Sequence, residues 1–267
     1  MKFGLIIIGD EILSGKRADK HLAKSIELLS DRGLPLAYAD YVGDDPDRIT
    51  ATLTRALASG DAVFSFGGIG ATPDDHTRQC AASALGLPLA LHPQAKALIH
   101  ERMQDVARAQ GVPYEPERDD NVHRLNMGMF PVGAEIIPNP FNKIPGFSCA
   151  GERGSIHFVP GFPVMAWPMM EWVLDTRYVH LFTTNAWREY SIIVFGAMEA
   201  TLTPLMQDIE AKFAVKVFSL PSVDHPEYGR HVELGVKGKP ADADSAYGVM
   251  KSGLKAMKLK LGPELVR

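Results

Sequence analysis

The chain has 267 residues, a formal net charge of −4, 46% hydrophobic and 22% charged residues, room for one large domain and a small one. That balance is ordinary for a soluble globular protein and sets aside the disordered and membrane classes. The slight acidity gives no electrostatic reason to expect nucleic acid as a partner, and lysines 251, 255, 258 and 260 read as the solvated face of a last helix.

Phe3 to Ile8 is an isoleucine-rich apolar run, the mark of a strand buried on both faces. Its apolar core is too short for a signal peptide or a membrane span, and Asp10 follows almost at once, so a cytoplasmic protein is expected. A helix is expected over 19–31, a strand over 35–42, a helix over 46–59, a strand over 61–66 and a helix over 74–85. This alternation predicts right-handed crossovers and a mostly parallel sheet. Cys80, among the alanines of that last helix, reads as a buried and unreactive thiol. With Cys149 it forms neither a disulfide framework nor a metal-ligand spacing.

A polar helix over 93–110 runs into a loop-like stretch. Short strands are expected at 134–137 and 155–159, between Pro/Gly-rich turns at 138–147 and 160–163, and a helix over 164–181 closes the unit. In that helix Met165, Met169, Met170, Trp167 and Trp172 read as core. The polar Thr183-Thr184-Asn185 is the expected joint, dividing the chain into domains 1–182 and 186–267. Beyond it, a strand (189–195), helix (200–213), two strands (215–220 and 231–236) and helix (241–259) predict a small α+β domain of β-α-β-β-α order, helices on one face of an antiparallel sheet.

Ligands of an open parallel sheet bind beyond the carboxyl ends of its strands. Three such ends carry Gly9-Asp10-Glu11 through Ser14-Gly15, Gly43-Asp44-Asp45, and Gly67-Gly68-Ile69-Gly70-Ala71-Thr72-Pro73-Asp74-Asp75. Glycines 67, 68 and 70 let the backbone approach a ligand closely. Thr72 is placed to cap the next helix, with Pro73 at its first position, and such a start is an anion site. No Gly-Lys-Ser/Thr follows, so this is not a Walker loop, and Pro73 stands where the dinucleotide fingerprint needs its last glycine. Asp74 and Asp75 complement the helix dipole, but that role alone leaves their convergence with Asp10 and Asp44 unexplained. A carboxylate about 4 Å from a phosphate costs roughly 4 kcal/mol at an effective dielectric near 20, so a divalent cation is expected between them. His76, His123, His157 and His180 share no spacing and read as structural or solvent-facing.

The segments 9–15, 42–45 and 67–77, with Asn139-Pro140, Ile144-Pro145-Gly146-Phe147 and Pro160-Gly161-Phe162-Pro163, resemble the motifs of the molybdopterin-binding (MoCF) superfamily. Within it they are most similar to the branch of competence/damage-inducible protein A, CinA, over about residues 3–180. The tail from 187 to 260 is similar to that branch's small KH-like domain. Because the chain ends at Arg267, the amidohydrolase activity of a third CinA domain is expected to be absent. The resemblance implies a three-layer α/β fold like that of MoaB and MogA, with a mostly parallel sheet. It implies homo-oligomers that bind a pterin or nucleotide phosphate, and in some members hydrolyse ADP-ribose or FAD with a divalent metal, magnesium or cobalt-like. By position it gives Asp44 and Asp75 the catalytic role and Asp10, Asp44 and Asp75 the metal. Gly67, Gly68, Gly70, Thr72, Asp74 and Thr77 match its phosphate loop, with Ser14, Asn139, Lys143, Pro145, Gly146 and Gly161 lining the ligand. Four departures stand out: Ala71 for a proline, expected to loosen the loop; His21 for an asparagine; Met165 for a glutamate; and Asn142-Lys143-Ile144 for Gly-Thr-Ala. The functions expected are metal-dependent hydrolysis of a nucleotide diphosphate linkage, molybdopterin binding in molybdenum-cofactor biosynthesis, or a non-catalytic binding module.

Overall fold

The computed structural model describes residues 1–183 and 187–267, so Thr184 and Asn185 of the expected joint lie outside the described residues. The chain divides into two compact units, Met1–Phe182 and Thr183–Arg267.

The large unit runs β1 (Phe3–Ile8), α1 (Asp10–Leu13), α2 (His21–Ser30), β2 (Leu36–Val42), α3 (Pro46–Ser59), β3 (Ala62–Phe66) and α4 (Thr77–Leu85). It continues through β4 (Leu89–Leu91), α5 (Pro93–Gln110), α6 (Asp119–Arg124), β5 (Met129–Pro131), β6 (Glu135–Ile137), β7 (Gly146–Ala150), β8 (Ser155–Val159) and α7 (Pro163–Arg177). Six strands form one sheet in the order β2-β1-β3-β8-β7-β6. The first four run parallel, and β7 is antiparallel to both its neighbours. All six residues of β1 are buried, as a strand covered on both faces requires. Alternation does the rest: Ile6 and Ile8 join a core with Ile49, Leu53 and Cys80 on the α3–α4 side. Leu5 and Ile7 join a second core with Leu28, Leu29, Met169 and Val173 on the α2–α7 side. The result is the expected three-layer α/β fold with a mostly parallel sheet.

Register positions the site. Ile8 pairs with Val42, Ile7 with Phe66, and Phe66 with Val159. The chain therefore leaves β1, β2, β3 and β8 at one edge of the sheet, into Gly9, Gly43, Gly67 and Pro160.

Several expectations need correction. The strand β7 falls partly in a segment read as turn, because Gly-Phe-Ser-Cys-Ala lacks a β-branched run. It forms because Phe147 stacks between Phe130 and Phe158, centroids 4.5 and 4.4 Å apart. The stretch after α5 holds α6 and β5 rather than loop alone. In α7, Met169 and Met170 are core, whereas Trp172 is exposed. Both cysteines are free and buried, and burial pushes the Cys149 thiol up to about 12.

The small unit runs β9 (Arg188–Phe195), α8 (Glu199–Lys212), β10 (Val215–His225), β11 (Gly229–Gly238), α9 (Pro240–Ala256) and β12 (Lys260–Val266). Its antiparallel sheet has the order β10-β11-β9-β12, a split β-α-β arrangement. The expected β-α-β-β-α order is present with one strand added. Gly262 and Pro263 argue against a strand at 260–266, but β12 is an edge strand with a register shift between Leu261 and Glu264, where proline is tolerated. Lys258 and Lys260 are accordingly not on the last helix. Ile192, Val194, Leu202, Ile209, Leu234 and Met250 give the unit its own core.

His157, on β8, is structural. Its Nδ1 meets Ser148 Oγ at 2.8 Å and its Nε2 meets the Tyr178 hydroxyl at 2.7 Å, which in turn meets Ser155 Oγ at 2.9 Å. Burial, with the charge of Arg177, pushes the imidazole down to about 3. A histidine whose folded pKa lies below its unfolded value of 6.5 stabilises fully above that value and loses the contribution as pH falls toward the folded one. Between about pH 7.5 and about pH 5 the loss is on the order of 2 kcal/mol. Thermal melts at the two pH values should show the wild type losing several degrees that His157→Phe does not. The variant should start lower at neutral pH, because it strands the Ser148 hydroxyl and takes one of two partners from the Tyr178 hydroxyl.

Candidate functional site

The glycine loop after β3 is fastened from inside by the first two residues of α4. Thr77 Oγ1 donates to Gly67 O at 3.1 Å and Thr77 N to Gly68 O at 3.0 Å. Arg78 Nη1 donates to both Ile69 O and Gly70 O. Four consecutive carbonyls are thereby satisfied. In a trans peptide the N–H of the next residue points the opposite way, and no cis peptide interrupts the described chain. Among the described residues no protein acceptor takes the N–H of Gly68, Ile69, Gly70 or Ala71. At the two ends Gly67 N donates to Val159 O at 3.1 Å and Thr72 N to Asp75 Oδ2 at 2.8 Å.

The glycines are required here. Gly67 and Gly68 have φ of 101° and 67°. A Cβ on Gly67 would stand 2.4 Å from Ile8 O, and one on Gly68 would stand 2.1 Å from Thr77 Oγ1. Gly161 brings the loop after β8 alongside, since its Cβ would lie 3.5 Å from the Gly67 Cα.

Helix α4 starts at Thr77, not Asp74. Thr72 does not cap it and Pro73 is not its first residue. Instead Asp75 Oδ2 accepts from Thr72 N and from Thr72 Oγ1 at 2.5 Å, while Asp75 N donates to Thr72 O at 3.0 Å. Residues 72–75 close a turn, and Thr77 has its hydroxyl engaged beneath the loop.

The acids of the other two strand ends meet each other. Asp10 N donates to Asp44 Oδ2 at 2.9 Å, and Asp44 N to Asp10 Oδ1 at 3.2 Å. Gly43 makes this possible, for a Cβ there would stand 2.5 Å from Asp10 Oδ1. Burial raises the pKa of Asp44, and the charges of Asp10, Glu11 and Asp74 add to it against the N–H of Asp10. Among the described residues, none of these four acids forms an ion pair with a lysine or arginine. Asp75, held by Thr72, is not brought to the pair. Among the described residues no three His, Cys, Asp or Glu side chains form a metal-holding group. Among the described residues the pair has no counter-cation, and the three-acid metal site expected does not form.

The remaining expected contacts divide. Ser14 is exposed after α1. Asn139 is spent on its own loop: Nδ2 donates to Asn142 Oδ1 and Ile144 O, and Oδ1 accepts from Phe141 N. Lys143 pairs with Asp105 at 2.8 Å and Glu101 at 3.4 Å, exposed pairs that exchange at little cost. Pro145 is buried, and Gly146 lets β7 approach β8, since its Cβ would stand 2.3 Å from Phe158 O. Met165 Sδ accepts from Asn142 Nδ2 at 3.3 Å. His21 stacks on Phe66 at 4.5 Å and meets Gly161 O through Nε2 at 3.1 Å, and its Nδ1 is buried without a partner.

Sequence reasoning missed Arg78, and it read His123 as structural without its partner. Arg78 looks like an exposed helix residue until the helix starts at Thr77 and turns it under the loop. His123 Nε2 meets Ala71 O at 2.8 Å, so the loop is tied at the position where an absent proline was expected to loosen it. A cavity of about 380 Å³ lies there, lined by Thr72, Asp75, Arg78, His123 and Asn126. Another, of about 500 Å³, opens at Asp10, Gly43, Asp45 and Arg48.

These features define a class: α/β proteins whose parallel strands end on a glycine loop with an outward row of amides, beside paired acids. The chain belongs to the molybdopterin-binding (MoCF) family, residues 4–179 matching the model described as "Probable molybdopterin binding domain". It is similar to a CinA-like protein of Anaeromyxobacter dehalogenans (strain 2CP-1 / ATCC BAA-258), 34% identical over 93% of this chain and 52% of that protein. A protein of Caldivirga maquilingensis is 29% identical over 96% of this chain and 95% of its own length. The crystal structure of the protein CinA with unknown function from Thermoplasma acidophilum superposes with a TM-score of 0.54 at 27% identity, over 65% of this chain and 96% of that one. The chain spans 40% to 61% of the length of several CinA-like relatives. Among the described residues no helix is long and apolar enough to cross a membrane.

The raised pKa of Asp44 makes a stability prediction. A carboxyl whose folded pKa exceeds its unfolded value stabilises below the unfolded value and loses that as pH rises through the folded one. Asp44→Asn keeps the acceptor for Asp10 N and removes the charge. Its melting temperature should exceed the wild type's by roughly 1–3 °C at neutral pH, with the difference shrinking as pH falls through the raised folded value and small below the unfolded value of 3.8. Scanning calorimetry across that range checks it.

Proposed function

We propose that the Gly67–Thr72 loop binds a phosphate group of a nucleotide or pterin, and that the large unit hydrolyses a nucleotide diphosphate linkage of the ADP-ribose or FAD type. The observation that carries the binding reading is the row of amides from Gly68 to Ala71, without an acceptor among the described residues, above four bonded carbonyls. Such a row is a concave array of donors for an anion. The hydrolytic reading is supported by the Asp10–Asp44 pair at the same sheet edge. Asp44 holds a proton more readily than an ordinary carboxylate. It takes one from the attacking water as that oxygen bonds to phosphorus and the bridging oxygen leaves on the other phosphate. A divalent ion, magnesium or cobalt-like, would be held by Asp10 and Asp44 and would neutralise phosphoryl charge when bound. Asp75 orders Thr72 at the loop's end, and Asp74, Ser14 and Gly161 border the ligand.

The family match favours a second reading, in which the same loop holds the phosphate of molybdopterin for molybdenum-cofactor biosynthesis. Both readings expect a homo-oligomer in the cytoplasm with no nucleic-acid partner, and a small unit that takes no part in the chemistry.

Titration calorimetry with ADP-ribose tests the loop. The wild type and a chain ending at Phe182 should bind alike, and Gly68→Ala should not bind, because its new methyl displaces Thr77. Turnover with magnesium present and chelated separates the hydrolase from the pterin binder. A wild type that binds none of ADP-ribose, FAD and molybdopterin contradicts both.

A further inference from the structure

Resting on the reading that the loop takes a phosphate, a further question is what gives this loop its preference for charge. Arg78 is the second residue of α4 and is 3% exposed. Its Nη1 donates to Ile69 O and Gly70 O, and its Nε is buried with no partner. Among the described residues it forms no ion pair. Asp75 acts on it only as a nearby charge, against the burial that disfavours its ionised form, and the Asp75 carboxylate is already held by Thr72.

A buried guanidinium without a carboxylate is costly. Fastening two carbonyls explains its donors but not its charge, since a neutral amide also donates twice. The charge is left over. It lies directly beneath the peptide units whose amides point outward, on the side opposite an incoming anion, where among the described residues no carboxylate pairs with it and Asp75 offsets it only as a nearby charge.

We propose that Arg78 is a positioning residue that turns the Gly70 and Ala71 amides outward and is the fixed cation of the site, so that the loop selects phosphoryl groups by their negative charge. A dianionic terminal phosphate is then preferred to a singly charged diester, and that to an uncharged nucleoside.

The test is a ladder of three probes on the full chain, AMP, 3′,5′-cyclic AMP and adenosine, at mildly alkaline pH, by titration calorimetry. The wild type should bind them in that order. Arg78→Met should lose about a hundredfold in affinity for AMP and about tenfold for cyclic AMP, with adenosine unchanged. Arg78→Lys keeps the charge but not the fork. It should lose about tenfold for both nucleotides while keeping their ratio. Equal losses for all three probes, or none, in a folded Arg78→Met would make Arg78 a clamp only and overturn the proposal. Should Arg78→Met fail to fold by circular dichroism, Arg78→Lys decides. A preserved ratio with weaker binding supports the proposal, and wild-type affinity or a collapsed ratio overturns it. A wild type that binds AMP and ADP-ribose while Arg78→Met binds them equally well refutes the role of Arg78 alone. A wild type that binds neither refutes the phosphate reading beneath it.

Discussion

The site depends on where four backbone carbonyls go. A segment that leaves a buried strand must satisfy its polar groups within a few residues. Here the carbonyls of Gly67, Gly68, Ile69 and Gly70 are all taken from beneath by Thr77 and Arg78. Peptide planarity then decides what the outer surface offers, a run of N–H groups that no acceptor among the described residues receives. The glycines matter less as flexible residues than as places where a Cβ would strike Ile8 O or Thr77 Oγ1. The loop is ordered by what lies under it, and its outer amides are the groups that the proposed phosphate would meet.

The sheet supplies the second constraint. Four parallel strands end in register, so the loops after β1, β2, β3 and β8 are neighbours by construction. Asp10 and Asp44 hold each other's backbone, which fixes two carboxylates side by side with no basic residue paired to them among the described residues. The electrostatic cost is read in Asp44, whose pKa is raised by burial and by the acids around it. On the proposed reading, an outward row of amides beside an acid pair that has no basic partner among the described residues is the juxtaposition a cation-assisted phosphate reaction uses. The amides and the acids are thus complementary halves of one proposal.

Much of this was legible in the sequence, and the limits have physical causes. The β1 run, the helices α3 and α5 and the three glycine-acid loops are local patterns, and each emerged where its residues predicted. The strand β7 was not legible, since its warrant is a stack of Phe130, Phe147 and Phe158 from three separate segments. Nor was β12, whose proline is allowed only by its place at the sheet edge. Within the site, the start of α4 was misread because Thr72, Pro73 and Asp75 spell a helix start while forming a turn. That three-residue error hid Arg78, which appears as a surface residue in one phase of the helix and as the floor of the loop in the other. Lys143 was legible as a loop residue but not as one already engaged, because Asp105 is brought to it by the fold, whereas Asn139 is taken up by its own turn through Phe141, Asn142 and Ile144.

The central claim, that the amides of Gly68 to Ala71 are the anion receptor, is tested most directly by two-dimensional amide resonance spectra of the large unit during titration with ADP-ribose. The account predicts that the resonances of Gly68, Ile69, Gly70 and Ala71 move furthest and saturate together, while that of Gly67, bonded to Val159 O, moves little. Saturable binding that leaves those four amides unmoved would contradict it.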